Sequence, residues 1–328
     1  MFDEEEFRKY LTRRNLIKKK ISFAVKTVKE FDDYLREKNV AFETADLDRL
    51  KEYISLLIDR KSNSMDRLLA IARYCSFAKK NDFYVYFTSI LNGRDILPLI
   101  GETLAEVAGE KTRGRVFDGF KLPPLGSPQD DYPKLTKMIV DRLEAELPVA
   151  ICRKILTGNY HQIPAEAFKE KKKRFNNVDS IDEYLKREHN RLMAELIACM
   201  KEKRIWYEQQ ITPEVVEFVR NNQEICTGVR HGDKIYVTKI PYAPKEYLKE
   251  RDPNLRRYYA CHCPLVRTAI RDGKLEIPPV FCYCSGGFEK FAFDTVFSEP
   301  TEVELLESAL KGDERCRFAI TIPKGKMK

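Results

Sequence analysis

The chain of 328 residues contains no apolar run approaching the roughly 20 residues that a membrane-spanning helix needs, which argues against a membrane partner. It has no internal repeat, which excludes solenoid and propeller architectures, and no low-complexity stretch. It has no strong excess of one charge: 59 Lys and Arg stand against 51 Asp and Glu, a net +8 spread mostly along helix faces. Such a balance permits nucleic-acid binding without indicating it. The opening MFDEEEFRKY is acidic and does not read as a signal peptide. Gly286-Gly287 fit neither a Walker loop nor a dinucleotide fingerprint. The expectation is a soluble, cytoplasmic protein.

What the chain does have is enough apolar residue, 43%, for normal cores, a high charged fraction of 34%, and a length that suggests two or three domains. Residues 1–109 read as helices throughout. Ile17, Ile21, Ala24, Val25, Val28, Phe31 and Leu35 recur at helical spacing, and a second helix carries Leu47, Leu50, Ile54, Leu57 and Ile58 behind the caps Thr44 and Asp46. A break at Ser62-Asn63-Ser64 precedes a third. Residues 110–132, rich in Gly, Pro and Ser, read as a linker. Residues 133–225 return to helix, with Asp179-Ser180 and Thr212-Pro213 as start signals. From 226 to 328 the pattern becomes mixed. Lys234–Ile240 alternates as a strand, residues 263–271 suggest a short helix, and Gly286-Gly287 suggest the opening of another. Residues 301–310 and 315–322 suggest a hairpin. The fold class is therefore α followed by α+β: a helical bundle, then helices leading to a small antiparallel sheet.

Nine cysteines is an odd number, and a reducing compartment argues for metal binding or thiol chemistry over disulfides in any cluster. Cys75, Cys152, Cys199 and Cys226 occur singly on helix-like text and read as buried hydrophobes. The other five fall in YYACHCPLVRTAI, FCYCSGGFEKF and ALKGDERCRFAI: two CxC pairs, Cys261/Cys263 and Cys282/Cys284, separated by 18 residues, and Cys316 beyond. Four thiolates make a closed tetrahedral zinc site, and thiolates also hold iron–sulfur clusters. CxC is a narrower bite than CxxC and less diagnostic, but on a strand both sulfurs would share one side. His262 is a further ligand or a supporting hydrogen-bond partner. A second reading makes Cys284 a nucleophile ahead of a helix N-terminus, with His262 as base and Cys263 as second choice. A third is ordinary core. Of the remaining histidines, His231-Gly232-Asp233 reads as a turn before a strand, and His161 and His189 as surface or helix-face residues. Arg256-Arg257-Tyr258-Tyr259 reads as the flank of an anionic pocket or as a solvated strand edge.

Two resemblances add to this. The segments RRNLIKKKISFAVKTVKEFDDYLREKN, DLDRLKEYISLLI and SMDRLLAIARYCSFAKKND resemble the helical, SAM-like core-binding domain of phage-type tyrosine recombinases, over about residues 5–100. The resemblance implies a DNA-clamping role, for which Arg13, Arg14, Lys18, Lys19 and Lys20 are the candidate phosphate contacts. It does not extend to the catalytic set: Cys226-Thr227-Gly228-Val229-Arg230 is followed by a strand, no HxxR motif occurs downstream, and the last tyrosine is Tyr283. Over residues 226–328, Cys263-Pro264, the cysteines at 282–284 and VELLESALKGDERCRFAI resemble the aminothiazoline-carboxylate hydrolase-like family. The hairpin with Gly312, Asp313, Cys316 and Phe318 is also similar to small-ligand domains of the vinyl-reductase and haem-nitric-oxide type. These resemblances imply an α+β domain with a pocket between helices and sheet. Doubling of the early cysteines departs from the family pattern and favours metal over a single nucleophile. The reading is a metal- or small-ligand-binding sensor, with zinc or an iron–sulfur cluster at Cys261, Cys263, Cys282, Cys284 and Cys316, and a DNA- or partner-binding helical domain. The alternative is a cysteine-dependent hydrolase of a small C–N or C–S substrate. The oligomeric state is not legible.

Overall fold

The structure, a computed structural model, describes residues 2–326. Helices dominate, and one four-stranded antiparallel sheet lies towards the carboxyl end, as the change of periodicity predicts. No helix among the described residues is long and apolar enough to cross a membrane. The chain forms two compact units. One comprises the residues up to Asn92 with Lys121–Asp131; the other comprises Gly93–Phe120 and the residues from Tyr132 onward.

The first unit holds α1 (Glu4–Arg13), α2 (Lys18–Glu37), α3 (Leu47–Asp59), α4 (Met65–Phe77) and α5 (Asn81–Leu91). Each helix buries one stripe. Phe7, Leu11, Val28, Phe31, Leu35, Leu50, Leu68, Ile71, Phe83 and Phe87 form a single core with Cys75. Burying each such side chain stabilises by about 1.5–3 kcal/mol. The starts are set by side chains: Asp3 accepts from the Glu6 N–H, Asp46 from Arg49 and Ser64 from Arg67, each cap worth about 1 kcal/mol. Thr44 does not cap α3, and its hydroxyl donates to the Ala41 carbonyl. Residues 121–131 pack here because Leu125 lies against this core and Asn63 donates to its carbonyl (2.7 Å).

The second unit begins with α6 (Ile96–Ala108) and α7 (Glu110–Val116), so part of the text expected as linker is helical. It continues with α8 (Pro133–Glu146), α9 (Val149–Leu156), α10 (Lys169–Asn176), α11 (Ile181–Lys201) and α12 (Pro213–Arg220). Ser180 caps α11, and Thr212 caps α12 with Pro213 at its first turn. Next come β1 (Val229–His231), β2 (Lys234–Thr238), α13 (Pro244–Tyr247), α14 (Pro253–Ala260), α15 (Arg267–Asp272), α16 (Tyr283–Phe297), β3 (Val303–Glu307) and β4 (Arg317–Thr321). The sheet order is β1-β2-β4-β3, antiparallel throughout, with Ile235 opposite Ile320 and Leu305 opposite Phe318. Ile235, Val237 and Ile320 face Phe293, Val296 and Phe297 of α16 and Phe175, Ile181 and Tyr184 of α10 and α11.

Three local expectations change. Arg256–Tyr259 are helical, not a strand edge, because Asp252 accepts from the N–H groups of Asn254 and Leu255 and Pro253 occupies the first turn. Gly286 and Gly287 do not open a helix; α16 starts at Tyr283 and carries them inside. Their smallness serves packing: a Cβ on Gly287 would lie 2.6 Å from the Gly158 carbonyl oxygen. Cys226 is not helical but sits at φ +64° in the turn before β1.

Candidate functional site

Three separate segments supply the five cysteines. Cys261 ends α14, its N–H donating to the Arg257 carbonyl (3.0 Å). Cys263 follows, and its carbonyl accepts from the N–H of Arg267 (3.1 Å), the residue that opens α15. Cys282 closes the short turn Pro279–Cys282, and Cys284 lies in the first turn of α16. Cys316 immediately precedes β4, and its carbonyl accepts from the N–H of Lys239 (2.9 Å), just beyond β2. The CxC pairs thus sit on helix ends and turns, so tertiary packing, not strand alternation, brings them together.

The thiols act on one another electrostatically. Cys263 feels Cys261, Cys284 and Cys282, while Cys282 feels Cys316, Cys261 and Cys284, and Cys316 feels Cys261. Every pair among Cys261, Cys282 and Cys316 therefore interacts. Burial is the leading influence on each thiol. It pushes Cys284 and Cys316 up to about 12, Cys263 and Cys282 well above the usual range, and Cys261 upward. The Ser308 hydroxyl works the other way on Cys282, by hydrogen bonding. At neutral pH these are protonated thiols, and all nine cysteines are free. Burial holds His262 down to about 3, so its ring is neutral, and Nε2 donates to the Ile240 carbonyl (2.6 Å). Among the described residues, no three His, Cys, Asp or Glu side chains form a ready-made metal-ligand set.

Two basic side chains act on these thiols, and neither belongs to a motif in the sequence. The ammonium of Lys239 donates to Ser285 Oγ (3.1 Å), pairs with Glu289 (3.4 Å) and lies 4.6 Å from the Phe288 ring centroid. Its field reaches Cys261, Cys284, Cys316, Cys226 and His262. Arg267 is 4% exposed. Its guanidinium is clasped between the rings of Tyr242 (3.7 Å) and Tyr258 (4.3 Å), with one long bond to the Tyr258 carbonyl (3.4 Å). Its Nε is buried with no hydrogen-bond partner, as is Thr268 Oγ1 beside it in sequence. Among the described residues, no carboxylate pairs with Arg267. Its field acts on Cys261 and His262. A cavity of about 130 Å³ adjoins the site, lined in part by Cys316, Lys239, Arg315 and Tyr247.

Cys75, Cys152 and Cys199 lie fully buried, as their isolation in the sequence predicts, whereas Cys226, expected with them, is only part-buried because it sits in the turn before β1. In the first unit, Arg13 and Arg14 end α1, and Lys18, Lys19 and Lys20 open α2. All five are exposed; Lys20 lies 3.6 Å from Asp66, and Arg14 lies over the Tyr10 ring.

Residues 247–327, which contain the five cysteines, match a family of unknown function (DUF6144). No curated protein and no solved structure matches the chain.

Proposed function

We propose that the second unit is a metal-binding module whose buried thiols hold a soft metal ion, Zn²⁺ or the iron of an iron–sulfur cluster, in a protein that binds or senses. The observation that carries this reading is the meeting of five unbridged thiols, from three segments, in one buried neighbourhood. Isolated cysteines fill cores readily, but five drawn together beside Lys239 and Arg267 form a site with its own electrostatics. Cys261, Cys282 and Cys316 have the strongest claim as ligands, because each pair of them interacts, and Cys263 follows through its neighbours Cys261 and Cys282. Among the described residues no three of these side chains form a ligand set, so holding an ion requires the sulfurs to draw closer together. Metal coordination ionises thiols that burial alone keeps protonated.

The hydrolase alternative needs a thiol with a lowered pKa. Burial raises that of Cys284 to about 12, against which Lys239 acts only in part, so the buried setting of Cys284 favours binding over nucleophilic catalysis.

Elemental analysis of protein purified anaerobically without added metal tests the reading. It should find zinc, or iron with sulfide, in stoichiometric amount, with the five cysteines protected from iodoacetamide until a chelator is added. Absence of metal, with the five thiols equally reactive before and after zinc addition, would overturn it. Labelling of Cys284 far faster than Cys75 at neutral pH would instead favour the hydrolase.

A further inference from the structure

We infer that the cavity beside Cys316 is the port by which solutes reach the thiol site, that Phe218 is its partition, and that it admits only solutes of about six non-hydrogen atoms or fewer. This rests on the reading of the cysteine cluster as the functional site, and adds to it the route in and the size of what can arrive.

The thiols lie deep: Cys261, Cys284 and Cys316 are all buried, the last only 7% exposed. A solute meeting them from outside needs a path through the packing. The cavity of about 130 Å³ supplies the inner end of one. Cys316 lines it, and so does Ala260, the residue before Cys261, so two of the three cysteine-bearing segments contribute to its wall. Thr238 and Lys239, where β2 ends, form another side. An open groove of about 490 Å³ is lined by Glu217, Phe218 and Asn221 of α12 and its end, and by Lys245 and Leu248 of α13 and its end. Phe218 lines both hollows. Around it, neighbouring residues divide between the two: Asn221 lines the groove and Asn222 the cavity, Leu248 the groove and Tyr247 the cavity. The groove and the cavity therefore lie on two sides of the same α12–α13 contact, with the Phe218 side chain in common.

The two rings of this contact are held with different firmness. Tyr247 is buried, the Arg256 guanidinium lies 4.7 Å from its ring centroid, and Arg256 pairs in turn with Glu314 (3.1 Å). Phe218 is half-buried, and its ring meets that of Tyr247 at 6.1 Å, tilted by 47°. A change of rotamer moves the Phe218 ring without moving the backbone, so Phe218 is the part that yields. The cavity volume then sets the size limit, since a hollow of about 150 Å³ holds a molecule the size of benzene. A metal ion or a small organic molecule meets that limit; a larger chelate or cofactor does not.

The test is alkylation of the full-length protein, freed of metal by a chelator, with each cysteine followed by peptide mass spectrometry. Iodoacetamide falls within the size limit and N-ethylmaleimide exceeds it. Relative to each reagent's rate on free cysteine, wild-type Cys316 should favour iodoacetamide. Phe218→Ala should speed N-ethylmaleimide at Cys316 by about 3–10-fold, the worth of one aromatic pair. Phe218→Trp should slow iodoacetamide there. Cys199 belongs to the core against which Phe218 packs, so its labelling reports any general loosening of α12 and should stay at the wild-type rate. If Cys199 quickens in Phe218→Ala, Phe218→Trp decides: slower iodoacetamide at Cys316 supports the port, and an unchanged or faster rate overturns it. No reaction or no size preference at Cys316 in wild type, or rates there that ignore both substitutions, would also overturn it. Metal content is read separately. Protein that binds metal but lacks the labelling pattern loses the port alone, and metal-free protein that shows the pattern loses the metal-binding reading alone.

Discussion

Gly287 provides a prediction whose size follows from the coordinates. It lies within α16, the helix whose start carries Cys282 and Cys284, and α16 presses there on the end of α9. A Cβ at this position would lie 2.6 Å from the Gly158 oxygen and 2.9 Å from the Thr157 carbonyl carbon. Both are backbone atoms, so neither can swing aside. In a helix interior, replacing Gly by Ala ordinarily gains up to about 1 kcal/mol. Overpacking costs about 1–3 kcal/mol, and more where backbone must move. Gly287→Ala should therefore lose about 1–2 kcal/mol net, or a fall in Tm of about 2–8 °C for a domain of this size. Two controls in the same unit separate the terms. Gly286→Ala meets only side chains, Val303 at 3.3 Å and Phe318 at 3.4 Å, and should be near neutral. Gly114→Ala in α7 meets nothing within 4 Å and should gain about 0.5–1 kcal/mol. Thermal melts of the three variants, followed by circular dichroism, should rank Gly114→Ala above wild type and Gly287→Ala last. The displaced α16 should also expose Cys284 to faster alkylation. If Gly287→Ala melts at or above the wild-type temperature, the close approach of α16 to α9 is not what requires glycine, and the reasoning fails.

Two further outcomes test other parts of the molecule. Glu224 makes a two-pronged pair with Arg317 (2.7 and 2.8 Å) and accepts from the Thr238 hydroxyl (3.0 Å), and its carboxyl is held below the usual range by Arg317 first. A depressed folded pKa contributes stability that is complete above the unfolded value near 4.5 and is lost as pH falls through the folded one. Glu224→Gln should cost about 1.5–3 kcal/mol at pH 7, and the gap from wild type should shrink on acidification below pH 4.5; a gap that stays constant down to pH 3 refutes the assignment. For the helical unit, a DNA-binding role predicts that changing Lys18, Lys19 and Lys20 together to Ala lowers the log–log salt slope of duplex binding by up to about 3, roughly 0.9 per lost phosphate contact. Wild-type protein that fails to retard DNA at low salt removes that role.

The helical half was legible because its signals are local. Spacing alone marks the buried stripe from Ile21 to Leu35, and Asp46, Ser180 and Thr212 announce helix starts within three residues of the N–H groups they bond. The hairpin of β3 and β4 was legible for the same reason. The Pro- and Gly-rich text near 110–132 was harder, since composition registers a change of backbone chemistry but not which core the segment joins; Leu125 settles on the first unit and Val116 is buried in a helix of the second. The five cysteines stood out as a motif, yet the geometry assumed for them, two sulfurs on one face of a strand, did not arise. Lys239 and Arg267 were the least legible part of the site. Each looks ordinary in its own segment, one among many basic residues in a chain that is 34% charged. What distinguishes them is burial, and for Arg267 the lack of a carboxylate partner, and neither property exists until α14, α15, α16 and the sheet have assembled. A charge pattern reports what surrounds a residue along the chain, whereas its energetic consequence depends on what surrounds it in space. For Arg267 those surroundings are the rings of Tyr242 and Tyr258 and a long bond to a backbone carbonyl, which its place in the sequence does not announce.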